Sequence, residues 1–215
     1  GNMGQAIQAQ CKKLTDIQVS DFQAKEFDSN GISALIDFSS PEGFNIALKF
    51  CKENKIPFIS GTTGLSDKNL KGLSAAKKII PILIASNMSL GVANLKSAIE
   101  KYLISIKRPV KCKIVEIHHT KKKDSPSGTA VEIAKFLENY HANKIDGLID
   151  VESHRIGNIF GIHRVEFKSE EGITNFQHIA SSRDVFAKGA LKAARSINSM
   201  EIGEYSFADF LNKKL

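Results

Sequence analysis

The chain has 215 residues, of which 42% are hydrophobic and 25% charged, and its formal net charge is +7. These proportions are ordinary for a soluble globular protein, and the longest apolar run, residues 79–85, is too short to cross a bilayer. The lysines are scattered, so the charge suits an acidic ligand without indicating a nucleic-acid surface. Three cysteines form no C-x-x-C pair, and no stretch resembles a signal peptide, which favours free thiols in a reducing, cytoplasmic compartment.

The first residues have two interpretations. The chain begins Gly1-Asn2-Met3-Gly4 and continues with apolar residues at helical spacing. Two glycines that open a helix are similar to the second half of a G-x-x-G-x-x-G phosphate loop, whose first strand and first glycine would precede residue 1. The alternative is an N-terminal tail that happens to contain two glycines, and these four residues alone favour that alternative.

Short strands and helices alternate over the first half of the chain. Strands are predicted at residues 17–21, 34–38, 56–60 and 79–85, and helices after Ser40 and at residues 66–78. Ser40 and Pro41 suit the N-cap and the first position of a helix. Strands that alternate with helices across short loops indicate βαβ units with a parallel sheet.

The pattern changes near residues 88–91. An amphipathic helix at 92–106, a strand at 110–118, a helix at 129–140, strands at 161–167 and 173–181, and helices at 184–199 and from 206 are predicted. The last two strands are joined by a short turn, which favours antiparallel pairing. We therefore expect two domains. Residues 1–88 with 184–215 form an α/β domain, and residues 89–183 form an α+β domain with a mixed or antiparallel sheet.

Polar loops follow several predicted strands. One is Gly61-Thr62-Thr63-Gly64, another is Ala85-Ser86-Asn87-Met88, and Asp21 ends an early strand. Ligands of open α/β sheets bind beyond the carboxyl ends of the strands, where glycines admit a cofactor and hydroxyls or an aspartate hydrogen-bond it. The alternative for each loop is an ordinary strand-to-helix connection, and for Asp21 a solvated turn residue.

The strongest chemical signal lies at residues 116–130, which read E-I-H-H-T-K-K-K-D-S-P-S-G-T-A. His118 and His119 stand at a strand end, and imidazole exchanges protons near neutral pH. Neighbouring lysines supply positive charge or a proton. Gly128 and Thr129 stand where a helix begins, and the free backbone N–H groups there suit a carboxylate.

Each of these residues also has a plainer interpretation. Thr129 with Glu132 fits a capping box. The adjacent histidines could ligate a metal, but no second ligand set follows at the required spacing, so no metal is expected. The lysines could contact nucleic acid, but no aromatic residues interleave them. His163 lies within a strand pattern and is expected to be packed or paired there.

The motif resembles the signature E-x-H-H-x-x-K-x-D-x-P-S-G-T-A of the 4-hydroxy-tetrahydrodipicolinate reductase family, also called dihydrodipicolinate reductases. The resemblance covers nearly the whole chain. It includes the blocks at residues 37–43, 61–64, 85–91, 161–167 and 180–190. The chain departs from the family at Ile162, where the family usually has glutamate. The leading strand and first glycine of the family's nucleotide loop are also absent from these residues.

The resemblance implies a Rossmann-like domain that binds NADH or NADPH and a domain that binds a small dicarboxylate substrate and builds a homotetramer. It implies reduction of 4-hydroxy-tetrahydrodipicolinate in lysine and diaminopimelate biosynthesis. His118 would be the acid/base residue and Lys122 the proton donor, while His119, Gly128 and Thr129 would hold the substrate's carboxylates. The dinucleotide would contact Gly1, Asn2, Met3, Gly61, Thr62, Thr63, Ala85, Ser86, Asn87 and Met88.

Two other functions compete with this one. A relative of the reductases could bind NAD(P)H or a dicarboxylate without turnover, and the incomplete nucleotide loop favours that alternative. The complete set of His118, Lys122, Gly128 and Thr129 argues against it. A basic nucleic-acid module has no supporting motif, and neither nucleic acid nor a membrane is an expected partner.

Overall fold

A computed structural model describes residues 1–22 and 30–212. In chain order the elements are α1 (Asn2–Cys11), β1 (Leu35–Asp37), α2 (Pro41–Asn54), β2 (Phe58–Ser60), α3 (Asp67–Ala76), β3 (Pro81–Ile84), α4 (Leu90–Ser105), β4 (Lys111–His118), α5 (Gly128–His141), β5 (Asp150–Arg155), β6 (Gly161–Ser169), β7 (Gly172–Ala180), α6 (Asp184–Ser196), β8 (Gly203–Tyr205) and α7 (Phe207–Asn212). Short 3-10 helices lie at Ala142–Lys144 and Ile197–Ser199. The chain divides into one unit of residues 1–88 with 186–215 and another of residues 89–185.

The first unit contains a parallel sheet in the order β1-β2-β3-β8. Helix α2 begins as predicted, because the Ser40 side chain accepts a hydrogen bond from the Gly43 N–H at 3.3 Å and Pro41 follows it. The apolar residues spaced along α2 are buried against the sheet, with Phe44 and Cys51 fully enclosed. A second group packs on the opposite side of the sheet around Ile59, Leu83 and Met88.

One strand prediction for this unit is wrong. Residues 17–21 form no strand, so Asp21 does not end one. Among the described residues β1 is an edge of the sheet, and no described strand lies on its outer side. A strand needs a neighbour for its backbone hydrogen bonds, and this segment has none there. The sequence pattern also gives no indication of β8, whose three residues are too few to show alternation.

The second unit contains a mixed sheet in the order β5-β4-β6-β7. Strands β6 and β7 pair antiparallel as predicted, and β4 pairs parallel with β5. Helices α4 and α5 cover one face, where their apolar stripes pack on β4 and β6 around Ile114 and Val165. Strand β5 does not follow from the sequence pattern, because nearly all its positions are half-exposed and its residues, D-V-E-S-H-R, do not alternate.

Among the described residues of this unit, no helix packs on the other face of the sheet. Ile117, Ile162 and Ile179 are side by side across three strands on that face, and Ile179 is 57% exposed. Nearby on β7, Ile173 is 59% exposed. None of the helices described in the structure combines the length and apolarity that a membrane crossing requires.

Candidate active site

The end of β4 places two ionisable side chains on the buried face of the sheet. Alternate residues of a strand share a face, so Glu116 and His118 follow Cys112 and Ile114 toward the helices. Glu116 is fully buried and His118 is 7% exposed. The strand therefore changes from apolar to ionisable along a single face as it approaches the start of α5.

The Glu116 carboxylate is fully engaged. One oxygen, Oε2, hydrogen-bonds His118 Nδ1, while Oε1 accepts from Arg155 Nη2 at 2.9 Å and from the Ser127 backbone N–H at 3.2 Å. Burial opposes ionisation of this carboxyl, but the hydrogen bond from Arg155 and the neighbouring His118 outweigh it, so the pKa of Glu116 lies below its ordinary value. Glu116 is therefore an ionised acceptor.

Because an ionised carboxylate only accepts hydrogen bonds, His118 Nδ1 carries the hydrogen of this contact. The other ring nitrogen, Nε2, faces Gly161, where a built Cβ would come within 3.0 Å of it. Burial lowers the pKa of His118, and the positive charges of Lys122 and Arg155 add to that effect, while Glu116 opposes it. A neutral imidazole is thus available at neutral pH, and Nε2 is the nitrogen that is able to take up a proton.

His163 lies against His118, with 5.0 Å between ring centroids at an angle of 70°. It is buried, as predicted for a packed strand residue, and its Nε2 is 3.2 Å from Ser127 Oγ. Burial and the neighbouring His118 lower the pKa of His163 to about 3, so this ring stays neutral. His163 therefore forms an uncharged wall beside His118.

The three lysines after the histidines differ in environment. Lys121 and Lys123 are exposed, whereas the Lys122 side chain is 23% exposed and its Nζ is 2.8 Å from Asp124 Oδ1. Burial opposes ionisation of Asp124, but its hydrogen bond from Lys122 outweighs this, so the pKa of Asp124 is lowered. Asp124 thus holds Lys122 in place.

Helix α5 begins beside this cluster. Ser127 is its N-cap, and the Ser127 hydroxyl accepts from the Ala130 N–H at 3.2 Å. This excludes the alternative of a capping box between Thr129 and Glu132, and Gly128 and Thr129 are the first two helical residues, as expected. Their N–H groups precede the fourth residue of the helix, so the helix itself offers them no acceptor.

Positive charge converges on His119 from several sides. Burial lowers the pKa of His119, and the charges of Arg183 and Lys122 lower it further. His119 Nδ1 is buried and has no hydrogen-bond partner among the described residues. These features suit an anionic ligand that would hydrogen-bond His119.

In the first unit, two of the predicted loops meet at the carboxyl edge of the sheet. Ser60 and Ile84 are register partners at the ends of β2 and β3, and the Ala85 N–H donates to the Ser60 carbonyl at 3.0 Å. The Phe38 ring lies over Gly61, where a Cβ would be 2.1 Å from a ring carbon. The chain therefore passes close to this ring only because residue 61 is glycine.

The Thr62 hydroxyl is used inside the protein. It donates to Asp37 Oδ2 at 2.7 Å and accepts from the Ser39 N–H at 3.0 Å. Ser60 Oγ donates to the same carboxylate oxygen at 2.8 Å. The Thr62 N–H also donates within the loop, to Ser60 Oγ at 3.1 Å, whereas Thr63 is exposed and offers its hydroxyl.

The remaining predicted dinucleotide contacts differ in exposure. Ser86 is exposed, while Asn87 and Met88 are buried. Gly1 is the N-cap of α1, and a Cβ built there meets no atom within 4 Å. Asn2 is exposed, and Met3 is half-buried against the core of the unit.

Glu116, His118 and His163 bring ligand-type atoms within 4.8 Å of one another. Sequence spacing does not reveal this group, because His163 comes from β6. All three side chains already hydrogen-bond protein groups, and the Arg155 guanidinium touches Glu116, which opposes a cation. We interpret the group as a hydrogen-bond network, and the expectation of no metal stays a prediction.

Two residues of the site were given no role by the sequence reasoning. Arg155 lies on the unpredicted strand β5 and reaches Glu116 from 39 residues later in the chain, so no local pattern indicates it. Glu116 is part of the signature, and its spacing of two from His118 on a strand was a usable signal that both share a face.

A parallel sheet with glycine-bearing loops at its carboxyl edge, together with a unit that carries a histidine–lysine site, defines a Rossmann-like, two-unit oxidoreductase. The chain belongs to the dihydrodipicolinate reductase family. The model of the family's N-terminus matches residues 1–88, and that of its C-terminus matches residues 91–211. The predicted family, the fold class and the identification as an NAD(P)H-dependent oxidoreductase are confirmed.

Relatives named 4-hydroxy-tetrahydrodipicolinate reductase match almost end to end. The protein of Bdellovibrio bacteriovorus is 37% identical over 216 residues, which cover 98% of this chain and 92% of the relative. That of Campylobacter lari is 38% identical over 232 residues, covering 98% and 95%. Among solved structures, dipicolinate-bound dihydrodipicolinate reductase from Paenisporosarcina sp. TG-14 has the same fold, with a TM-score of 0.70, 17% identity and coverage of 96% and 94%.

Proposed function

We propose that this chain reduces 4-hydroxy-tetrahydrodipicolinate to tetrahydrodipicolinate with NADH or NADPH, in lysine and diaminopimelate biosynthesis. The observation that carries the proposal is the buried Glu116–His118 pair beside the Lys122 loop and the start of α5. This arrangement places a proton-exchanging group, a cation and a helix N-terminus within one unit, which is what reduction of an unsaturated dicarboxylate requires.

The start of α5 binds the substrate's carboxylates in this proposal. The N–H groups of Gly128 and Thr129 point from a helix N-terminus, and such a site favours anions. His119 offers a buried ring nitrogen that has no hydrogen-bond partner in the part of the chain that the structure describes, and Lys122 adds fixed charge nearby. Charge-assisted hydrogen bonds from these groups orient the ring of the substrate.

Lys122 and His118 carry out the proton transfers in this proposal. Hydride delivery to an unsaturated carbon leaves electron density on the adjoining framework, which a proton must quench. Lys122 donates that proton, held in place by Asp124. His118 exchanges protons through Nε2, since Nδ1 is engaged with Glu116.

The first unit holds the dinucleotide. The exposed Thr63 and Ser86, which follow β2 and β3 at the carboxyl edge of the parallel sheet, fit such a ligand. The residues that hold it are Gly1, Asn2, Met3, Gly61, Thr62, Thr63, Ala85, Ser86, Asn87 and Met88. When bound, the reduced nicotinamide supplies the hydride.

The chain acts as a cytoplasmic homotetramer in this proposal. The uncovered face of the mixed sheet supports assembly, because Ile117, Ile162 and Ile179 form an apolar row there. An exposed apolar face of this kind is a typical contact between subunits. Light scattering of the purified chain measures the number of copies.

The test is a coupled assay in which a preceding enzyme supplies the substrate and the loss of reduced-nicotinamide absorbance is followed. Turnover by the wild-type chain that His118→Asn abolishes supports the proposal. The matched control is His154→Asn, which changes a histidine that also follows a glutamate by two residues, on the neighbouring strand. Dinucleotide binding without turnover would instead identify a binding protein, and no binding of dinucleotide or dicarboxylate would reject both functions.

A further inference from the structure

The two oxygens of the Glu116 carboxylate serve different parts of the site. Oε2 contacts the ring of His118, and Oε1 contacts the Ser127 N–H that immediately precedes Gly128. A carboxylate held at both oxygens has one orientation. The imidazole and the start of α5 are therefore fixed relative to each other through one buried group.

Arg155 extends this arrangement to the lysine loop. Its Nη2 donates to Glu116 Oε1 at 2.9 Å and also to the carbonyl oxygen of Asp124. Its Nη1 donates to the His154 carbonyl at 2.7 Å, which fixes the guanidinium plane. Because the Asp124 side chain pairs with Lys122, the position of the Lys122 ammonium depends on where Arg155 holds the loop.

We propose that Glu116 and Arg155 are a positioning pair, which fixes the tautomer of His118 and sets the places of Lys122 and the α5 start for catalysis. The inference rests on the proposed function for its kinetic consequences. Neither residue needs to contact the substrate, since each acts through a group that does. The pair joins β4 to β5 at the point where both strands enter the site.

Because charges of both signs face His118, the proposal predicts that removing one or the other shifts the His118 pKa in opposite directions. These charges are the Glu116 carboxylate on β4, the Arg155 guanidinium on β5 and Lys122 in the loop, together with the neutral His163 on β6. Removing the negative charge of Glu116 destabilises the imidazolium of His118 and lowers its pKa. Removing the positive charge of Arg155 raises that pKa.

The experiment compares Glu116→Gln, Arg155→Gln and the double variant with the wild-type chain. An amide in place of the carboxylate no longer selects one tautomer, and the same change in a Ser-His-Asp triad costs about 10⁴ in kcat. We expect a fall in kcat of about 10- to 100-fold, because here the histidine exchanges a proton without activating a nucleophile. The KM for the dinucleotide should not change.

The decisive readout is the pH profile of kcat. The limb that reports His118 should move to lower pH in Glu116→Gln, to higher pH in Arg155→Gln, and back toward the wild-type position in the double variant. A purely structural role would lower the activity of all three variants without opposite shifts. The control is Glu152→Gln, which removes the same charge from the Glu152–His154 pair on β5 and should leave both kcat and the profile unchanged.

Two further measurements keep the test conclusive. Circular dichroism shows whether Arg155→Gln folds. If it does not, Arg155→Lys takes its place, because lysine retains the charge and loses the contacts to both Glu116 and the Asp124 carbonyl. In that variant kcat should fall while the limb of the pH profile that reports His118 stays in place. An NMR titration of the His118 ring measures the same pKa shifts without turnover. An inactive wild-type chain would count against the proposed function alone, whereas unshifted His118 titration in Glu116→Gln would overturn the positioning pair.

Discussion

Replacing Lys122 with alanine separates proton donation from general positive charge. General acid catalysis typically contributes about 10²- to 10⁴-fold in rate, which corresponds to about 3–5 kcal/mol in the activation barrier. The stability effect is far smaller, because the Lys122–Asp124 pair is partly exposed, at 23% and 49% of the two side chains. Such a pair stabilises a protein by about 1 kcal/mol or less. We therefore expect Lys122→Ala to lower kcat severely while the melting temperature and dinucleotide affinity change little.

The neighbouring lysines provide matched controls for this variant. Lys121 and Lys123 are exposed and flank Lys122 directly, so alanine at each position removes the same net charge. The coupled assay should show nearly unchanged kcat for both. Equal losses in all three variants would mean that the lysines act as a cationic field. Retained activity in Lys122→Ala alone would refute its assignment as the donor.

Three other outcomes are expected. Asp37→Asn should raise the KM for the dinucleotide by about tenfold, or about 1.4 kcal/mol, because Asp37 orders the 60–63 loop. Asp67→Asn, at an exposed position, should leave this KM unchanged. Equal KM values for the two variants would exclude that role of Asp37. Gly189→Ala should lower the free energy of unfolding by about 1–3 kcal/mol, since its Cβ would lie 1.7 Å from the Met88 carbonyl oxygen. Gly72→Ala, whose Cβ would have its nearest contact at 3.6 Å, should raise the free energy of unfolding by up to about 1 kcal/mol. Chemical denaturation measures both, and a stable Gly189→Ala would contradict the geometry. A planar pyridine dicarboxylate should inhibit competitively and more tightly than the monocarboxylate, and equal inhibition would argue against two carboxylate contacts.

Local chemistry made much of the fold predictable. The Ser40-Pro41 pair indicates the start of α2, and the apolar spacing that follows indicates its buried face. Strands β6 and β7 alternate clearly enough to predict their pairing. Residues 17–21 look like a strand locally, but strand formation depends on a partner, and the sheet described here offers none beside β1.

The site, like the fold, has a part that the local sequence predicts and a part that it does not. The signature contains His118, Lys122 and the α5 start because they lie close together in the chain. Arg155 comes from a strand whose polar, half-exposed residues show no periodicity, so its contact with Glu116 is visible only in three dimensions. The choice of cap also needed the structure, since Ser127 and Thr129 are equally suited to cap and only the backbone shows where the helix begins.

The buried face of β4 shows how the fold gives up stability for chemistry. Its earlier positions, Cys112 and Ile114, pack in the apolar core, whereas Glu116 and His118 continue the same face as ionisable groups. Replacing a buried ion pair with well-packed apolar residues is often neutral or stabilising by about 1–4 kcal/mol, while removing one partner costs about 3–5 kcal/mol. An apolar pair in place of Glu116 and Arg155 would thus fold at least as well. The charged pair is therefore explained by the orientation that it imposes on His118, and its stability depends on both members being present.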